Sequence, residues 1–184
     1  MIFQRGAIRA RMGASAMYDW IQGRPPVVLR ESDVGRWPGG DVATERMPQF
    51  AAIGEFAGNQ VIVLRDPELT TVVPLELGGV LLVTAIYCDG DRSLDSHLEM
   101  LPVGGWNVLS RKFRAAGGTY TLFDGSLSGK QLKDPTLQAK ILEEHGGVIQ
   151  FALAEGAYDV ECFGPWDPDE QTSLWLTRVV RSAG

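Results

Sequence analysis

Histidine chemistry has two possible centres in this chain, His97 and His145. In the run Asp95-Ser96-His97-Leu98-Glu99, three metal-capable side chains alternate. A strand would bring them to one face, whereas a helix would turn residues two apart to nearly opposite sides. Leu94, Leu98 and Leu101 recur at helical spacing behind Ser93, a suitable N-cap, so the helix is favoured. The expectation is a solvated helix face with no metal site. His145 stands where a second helix should end, and a cation suits the negative pole of the helix dipole there. The stretch Gly125-Ser126-Leu127-Ser128-Gly129-Lys130-Gln131 is one residue short of a phosphate-binding loop and offers Gln131 where magnesium coordination needs a hydroxyl, so it reads as a turn. No GxSxG nucleophile elbow occurs. These readings assign no catalytic, metal or cofactor-binding residue, and the chain is expected not to be an enzyme.

Two acidic clusters with aromatic neighbours are better suited to binding. In the first, Asp95 and Glu99 are i, i+4 neighbours facing away from the leucines, with Asp89 and Asp91 just before them. Their repulsion costs helix stability, and a cationic partner would offset it. A plain solvated acidic surface is the alternative. The second cluster, Trp166-Asp167-Pro168-Asp169-Glu170, reads as a proline-containing loop between two strands. Its tryptophan is either an interface anchor ringed by steering carboxylates or a ring folded back over the core edge. Arg36-Trp37-Pro38-Gly39-Gly40-Asp41 is a third, weaker possibility, because its turn chemistry argues equally for loop packing.

The charge balance agrees with a cationic protein partner. The 184 residues carry 17 basic and 23 acidic side chains, a net charge of −6. Residues 1–16 hold Arg5, Arg9 and Arg11 and no acid, and they lack the apolar stretch of a secretory signal. They read as a flexible basic arm, with Met1, Met12 or Met17 as possible starts. Setting its three arginines aside leaves 14 basic residues against the 23 acidic ones, or −9, for residues 17–184. Such a body repels a phosphate backbone and attracts basic proteins, although acidity also serves solubility. Nucleic acid is therefore not expected as a partner.

Apolar residues make up 45% and charged residues 22%, a globular composition. The longest apolar stretch, Leu77 to Tyr87, is about half the ~20 residues of a spanning helix, so no membrane partner is expected. Cys88 and Cys162, far apart and without further ligands, suggest buried thiols. Gly-Gly pairs at 39–40, 78–79, 104–105, 117–118 and 146–147 look like turns between strands. Strands are expected at Val27–Arg30, Gln60–Arg65, Thr71–Leu75, Val80–Cys88, Asn107–Phe113, Thr119–Phe123, Val148–Leu153, Tyr158–Phe163 and Ser173–Val180. Val61–Leu64 and Val80–Val83 are apolar without alternation and should be covered on both faces, in the middle of a sheet. A short helix should span 94–101, and a second should start at Asp134-Pro135 and close at Gly146-Gly147. The expected class is α+β: β-rich, with mainly antiparallel sheet and two short helices, as a single domain over 17–184.

The order of these runs resembles a known family. Asp19-Trp20-Ile21, Gly23, Pro26-Val27-Val28-Leu29 and Trp37-Pro38-Gly39 are followed by Val63-Leu64-Arg65-Asp66-Pro67 with Thr70-Thr71. Later come Gly78-Gly79-Val80, Leu101-Pro102, Trp106, Leu122-Phe123-Asp124-Gly125, Gly156-Ala157-Tyr158-Asp159-Val160 and Thr172-Ser173-Leu174-Trp175-Leu176-Thr177-Arg178. From about residue 18 to 180 the pattern resembles the immunity protein 21 family of bacterial polymorphic toxin systems. The resemblance implies a cytoplasmic protein that binds and neutralises a cognate secreted toxin, often a basic nuclease. It carries over no catalytic motif, and the segment from Gln131 to Gly147 is longer and more helical than the family pattern. A small-molecule-binding or hydrolytic enzyme, with a pocket near His97 or Tyr120, is the alternative.

Overall fold

A computed structural model describes residues 18–40, 47, 49–65, 69–76, 78–88 and 93–183, apart from the side chain of Cys88. The strands are β1 (Ile21–Gln22), β2 (Pro26–Arg30), β3 (Ala51–Phe56), β4 (Asn59–Leu64), β5 (Leu69–Pro74), β6 (Gly79–Cys88), β7 (Asn107–Val108), β8 (Phe113–Asp124), β9 (Ile149–Asp169) and β10 (Thr172–Arg181). They form one antiparallel sheet in the order β1-β5-β6-β10-β9-β8-β2-β4-β3, and β7 pairs with β9 off this path. Four short helices accompany it among the described residues: α1 (Glu31–Val34), α2 (Leu94–Leu98), α3 (Gly129–Lys133) and α4 (Gln138–His145). The β-rich antiparallel expectation holds; the expected two helices become four.

The sheet folds one face onto itself. Ile21, Val72 and Leu82 from one side of the strand order share a buried cluster with Val28, Ile62 and Leu64 from the other. Phe50, beside β3, stacks on Trp175 of β10 with ring centroids 4.8 Å apart. The outer face is covered in two patches. Leu81, Val83, Leu174 and Leu176 pack under Leu94 of α2, while Val27, Leu29, Val61 and Val63 pack under Leu132 and Ile141 of α3 and α4. The non-alternating runs of β4 and β6 are therefore apolar on both faces because both faces are buried.

Several expected boundaries shift, each for a physical reason. Val148–Leu153 and Tyr158–Phe163 belong to one strand, because β8 and β10 pair along both edges of β9 and carry it through the weak strand formers Ala154–Ala157. Gly117-Gly118 is no turn between strands; it lies inside β8, where positive φ values of 74° and 95° mark a local irregularity. Asn107–Phe113 splits, its start pairing as β7 and Phe113 opening β8. The second helix begins at Gln138, because Asp134 accepts from Thr136 N and Thr136 Oγ1 and forms a turn ahead of it. It closes at Gly146 in the left-handed conformation, as expected.

Candidate functional site

The first acidic cluster sits on α2. Ser93 Oγ accepts from Ser96 N at 3.4 Å, so the expected N-cap forms. Leu94 is fully buried, and Leu98 and Leu101 pack against the same cluster beneath. That docking turns Glu99 to solvent and leaves Asp95 half-buried, where Tyr18 Oη donates to Asp95 Oδ1 at 3.0 Å. Burial first, and then the Asp95 carboxylate, push the Tyr18 phenol above its ordinary range. His97 departs from the expected solvated face: it is completely buried. Among the described residues no three His, Cys, Asp or Glu side chains are placed to hold a metal ion. Asp89 and Asp91 lie outside the described residues.

The second cluster is not a loop. Trp166 to Asp169 continue β9, and only Glu170 and Gln171 form the turn into β10. Trp166 pairs with Leu174 and packs, half-buried, on the cluster that holds Leu94. Asp169 Oδ1 accepts from Gln171 N at 2.9 Å, so that carboxylate shapes the hairpin, while Asp167 and Glu170 face solvent. Thr172 pairs with both Asp169 and Cys88, which places the hairpin beside the end of β6 from which the chain runs on to α2. Asp167, Asp169 and Glu170 therefore stand at the end of the sheet where β6 finishes, whereas Asp95 is tied to Tyr18, on the segment whose Asp19 O accepts from Thr71 Oγ1 of β5. Next to Glu99 in sequence, Met100 is 44% exposed and Val103 fully exposed. Trp106, anchored by its Nε1 donating to Pro102 O at 2.9 Å, lies under the Arg178 guanidinium 4.1 Å from the ring centroid.

Sequence reasoning missed the most heavily bonded polar site. Asp124, at the end of β8, is fully buried. Its Oδ1 accepts from Arg24 N at 2.9 Å, Ser126 N at 2.9 Å and Ser126 Oγ at 2.8 Å. On its other oxygen, His145 Nδ1 donates at 2.7 Å. The other ring nitrogen, Nε2, lies 3.8 Å from Glu144 Oε2. A carboxylate that orients a histidine is half of an acid–base constellation. The hydroxyl present, Ser126 Oγ, donates to the carboxylate and not to the imidazole. The two residues are 21 apart and on different elements, so no local motif announces them.

The remaining candidates are structural. Gln131 Oε1 accepts from Ser128 N while Ser128 Oγ accepts from Gln131 N, a reciprocal capping box at the start of α3 where a simple turn was expected. A Cβ on Gly129 would stand 1.9 Å from Val34 O, so that glycine serves close packing. Trp37 is buried, with its Nε1 donating to Gly125 O at 2.8 Å, so the Arg36–Gly40 loop is packed. Cys162 is a buried free thiol that burial pushes above its ordinary pKa, as suits an inert core residue. Tyr120 is buried between Phe113 and Phe151. Neither it nor His97 lines the two described depressions: an open one of about 700 Å³ beside Arg111, Lys112 and Arg114, and a smaller one beside Phe50, Cys162 and Trp175.

No helix among the described residues is long and apolar enough to cross a membrane. Compared with known proteins, the chain matches no family model, no curated protein and no solved structure.

Proposed function

We propose that this protein is a stoichiometric inhibitor, an immunity protein that docks the acidic end of its sheet on a basic toxin. The observation that carries this reading is the acidic β9–β10 hairpin, which ends the sheet with exposed carboxylates. Asp167 and Glu170 are exposed on this hairpin next to the half-buried Trp166, and Glu99, Met100 and Val103 are exposed on and just after α2. Apolar contact surrounded by like charges attracts a cationic partner at long range and then desolvates a small core on contact. A standard interface needs about 800 Å² from each partner, a small share of the 9740 Å² accessible here. The resemblance to immunity protein 21 supplies the biological setting: a cytoplasmic protein encoded beside its toxin. Co-expression with the toxin encoded next door tests it. A co-purifying complex and restored growth are expected; free toxin and continued killing would end the proposal.

A second reading, hydrolysis of a small substrate, draws on the Asp124–His145 pair. It places a general base at His145 Nε2, acting on water. Replacing His145 by Gln would then abolish turnover while leaving toxin binding intact, whereas the inhibitor reading expects no turnover to lose.

A further inference from the structure

The sheet has a vacant strand position. β2 lies against β8 only along Tyr120–Asp124, and after Arg30 the chain leaves the sheet as α1. The first part of β8, Phe113 to Ala116, keeps β9 on one edge and has no strand on the other among the described residues. Its free edge faces the β3–β4 hairpin across the open depression of about 700 Å³, which Ala115 and Ala116 line with nothing larger than a methyl group. Side chains occupy the free N–H groups in place of a strand. Arg114 N donates to Gln60 Oε1, and Ala116 N donates to Tyr120 Oη at 3.1 Å.

The groove is basic in an acidic protein. Arg111, Lys112 and Arg114 line it against a single carboxylate, Glu55. Arg111 pairs with Glu55, both exposed, and exposed Lys112 pairs at 3.6 Å with half-buried Asp159, pairs that exchange readily. Arg114 forms no ion pair among the described residues. No aromatic side chain lines the groove, so a nucleobase has no stacking surface.

We propose that this groove binds an extended acidic peptide segment of a partner protein, which pairs as an added strand with β8 at Arg114. Peptide carbonyls would replace the Gln60 carboxamide on the Arg114 N–H, and peptide carboxylates would meet Arg111, Lys112 and Arg114. This goes beyond the inhibitor reading and does not depend on it, since the groove and the β9–β10 hairpin lie at different places along β9.

The test uses the full chain and a capped eight-residue peptide of alternating glutamate and valine, followed by calorimetry and by amide hydrogen exchange. The proposal expects binding that slows exchange at Arg114. Gln60→Ala removes the internal competitor for that N–H and should tighten binding several-fold. Arg114→Ala should weaken it by about 10-fold. The lysine–valine counterpart, inorganic pyrophosphate and a short oligothymidine should bind far more weakly. Failure of the glutamate–valine peptide to bind would overturn the proposal. So would binding without protection of the Arg114 amide, weaker binding by Gln60→Ala, or equal binding of pyrophosphate or oligothymidine. If Gln60→Ala fails to fold, the exchange measurement on the unaltered chain decides alone.

Discussion

His145 Nδ1 donates to Asp124 Oδ2 across 2.7 Å, and this one bond ties the end of α4 to the end of β8. Because the same side chain holds the backbone at Arg24 and Ser126, three chain segments meet on one buried carboxyl group. Asp124→Ala leaves those donors without this acceptor. It should cost about 3 kcal/mol in chemical denaturation, while His145→Gln, which keeps a donor in reach, should cost about 1 kcal/mol.

Alkaline pH probes the interior. Burial raises the Tyr120 phenol above its ordinary value of 10.0. The folded protein therefore holds that proton more tightly than the unfolded chain, so the stability it contributes is complete below the unfolded value and lost as pH rises through the folded one. Tyr18 and Cys162, also raised, act in the same direction. Denaturation midpoints should fall above about pH 10. Tyr120→Phe should flatten that fall while costing about 1 kcal/mol at neutral pH for the lost acceptor of Ala116 N.

The loop that superficially suggests a phosphate site is a packing device, and it should behave as one. Gly129→Ala sets a methyl group 1.9 Å from Val34 O and should lower stability by more than about 2 kcal/mol. Ser128→Ala, which removes the capping box, should cost about 1 kcal/mol. Neither ATP nor phosphate should shift the melting temperature of the unaltered chain.

Patterns that are local in the sequence were the ones legible there. The runs Val61–Leu64 and Val80–Val83 announced burial on both faces, and Ser93 with the leucine spacing announced α2, because each is written in consecutive residues. β3 was not legible: Ala51-Ala52-Ile53-Gly54-Glu55-Phe56 has neither alternation nor a continuous apolar run and owes its form to pairing with β4. His97 looked solvated because Asp95 and Glu99 stand two residues away on either side, yet the way α2 docks buries it. The hairpin carboxylates were named from the sequence, but their place at the end of the sheet follows from Thr172 pairing with both Cys88 and Asp169, a fact of topology. The Asp124–His145 bond and the vacant strand position likewise exist only once distant segments meet.

The acidic end carries the central claim, and the rate of association with the neighbouring toxin, followed against ionic strength by stopped flow, tests it most directly. Asp167 and Glu170 are exposed, whereas Asp169 holds the hairpin, so the informative variant is Asp167→Ala/Glu170→Ala with Asp169 kept. That variant should retain the fold, associate about 10-fold more slowly at low salt, and lose most of its salt dependence. Association at the unaltered rate, with the unaltered salt dependence, would contradict the claim that this end of the sheet meets the toxin.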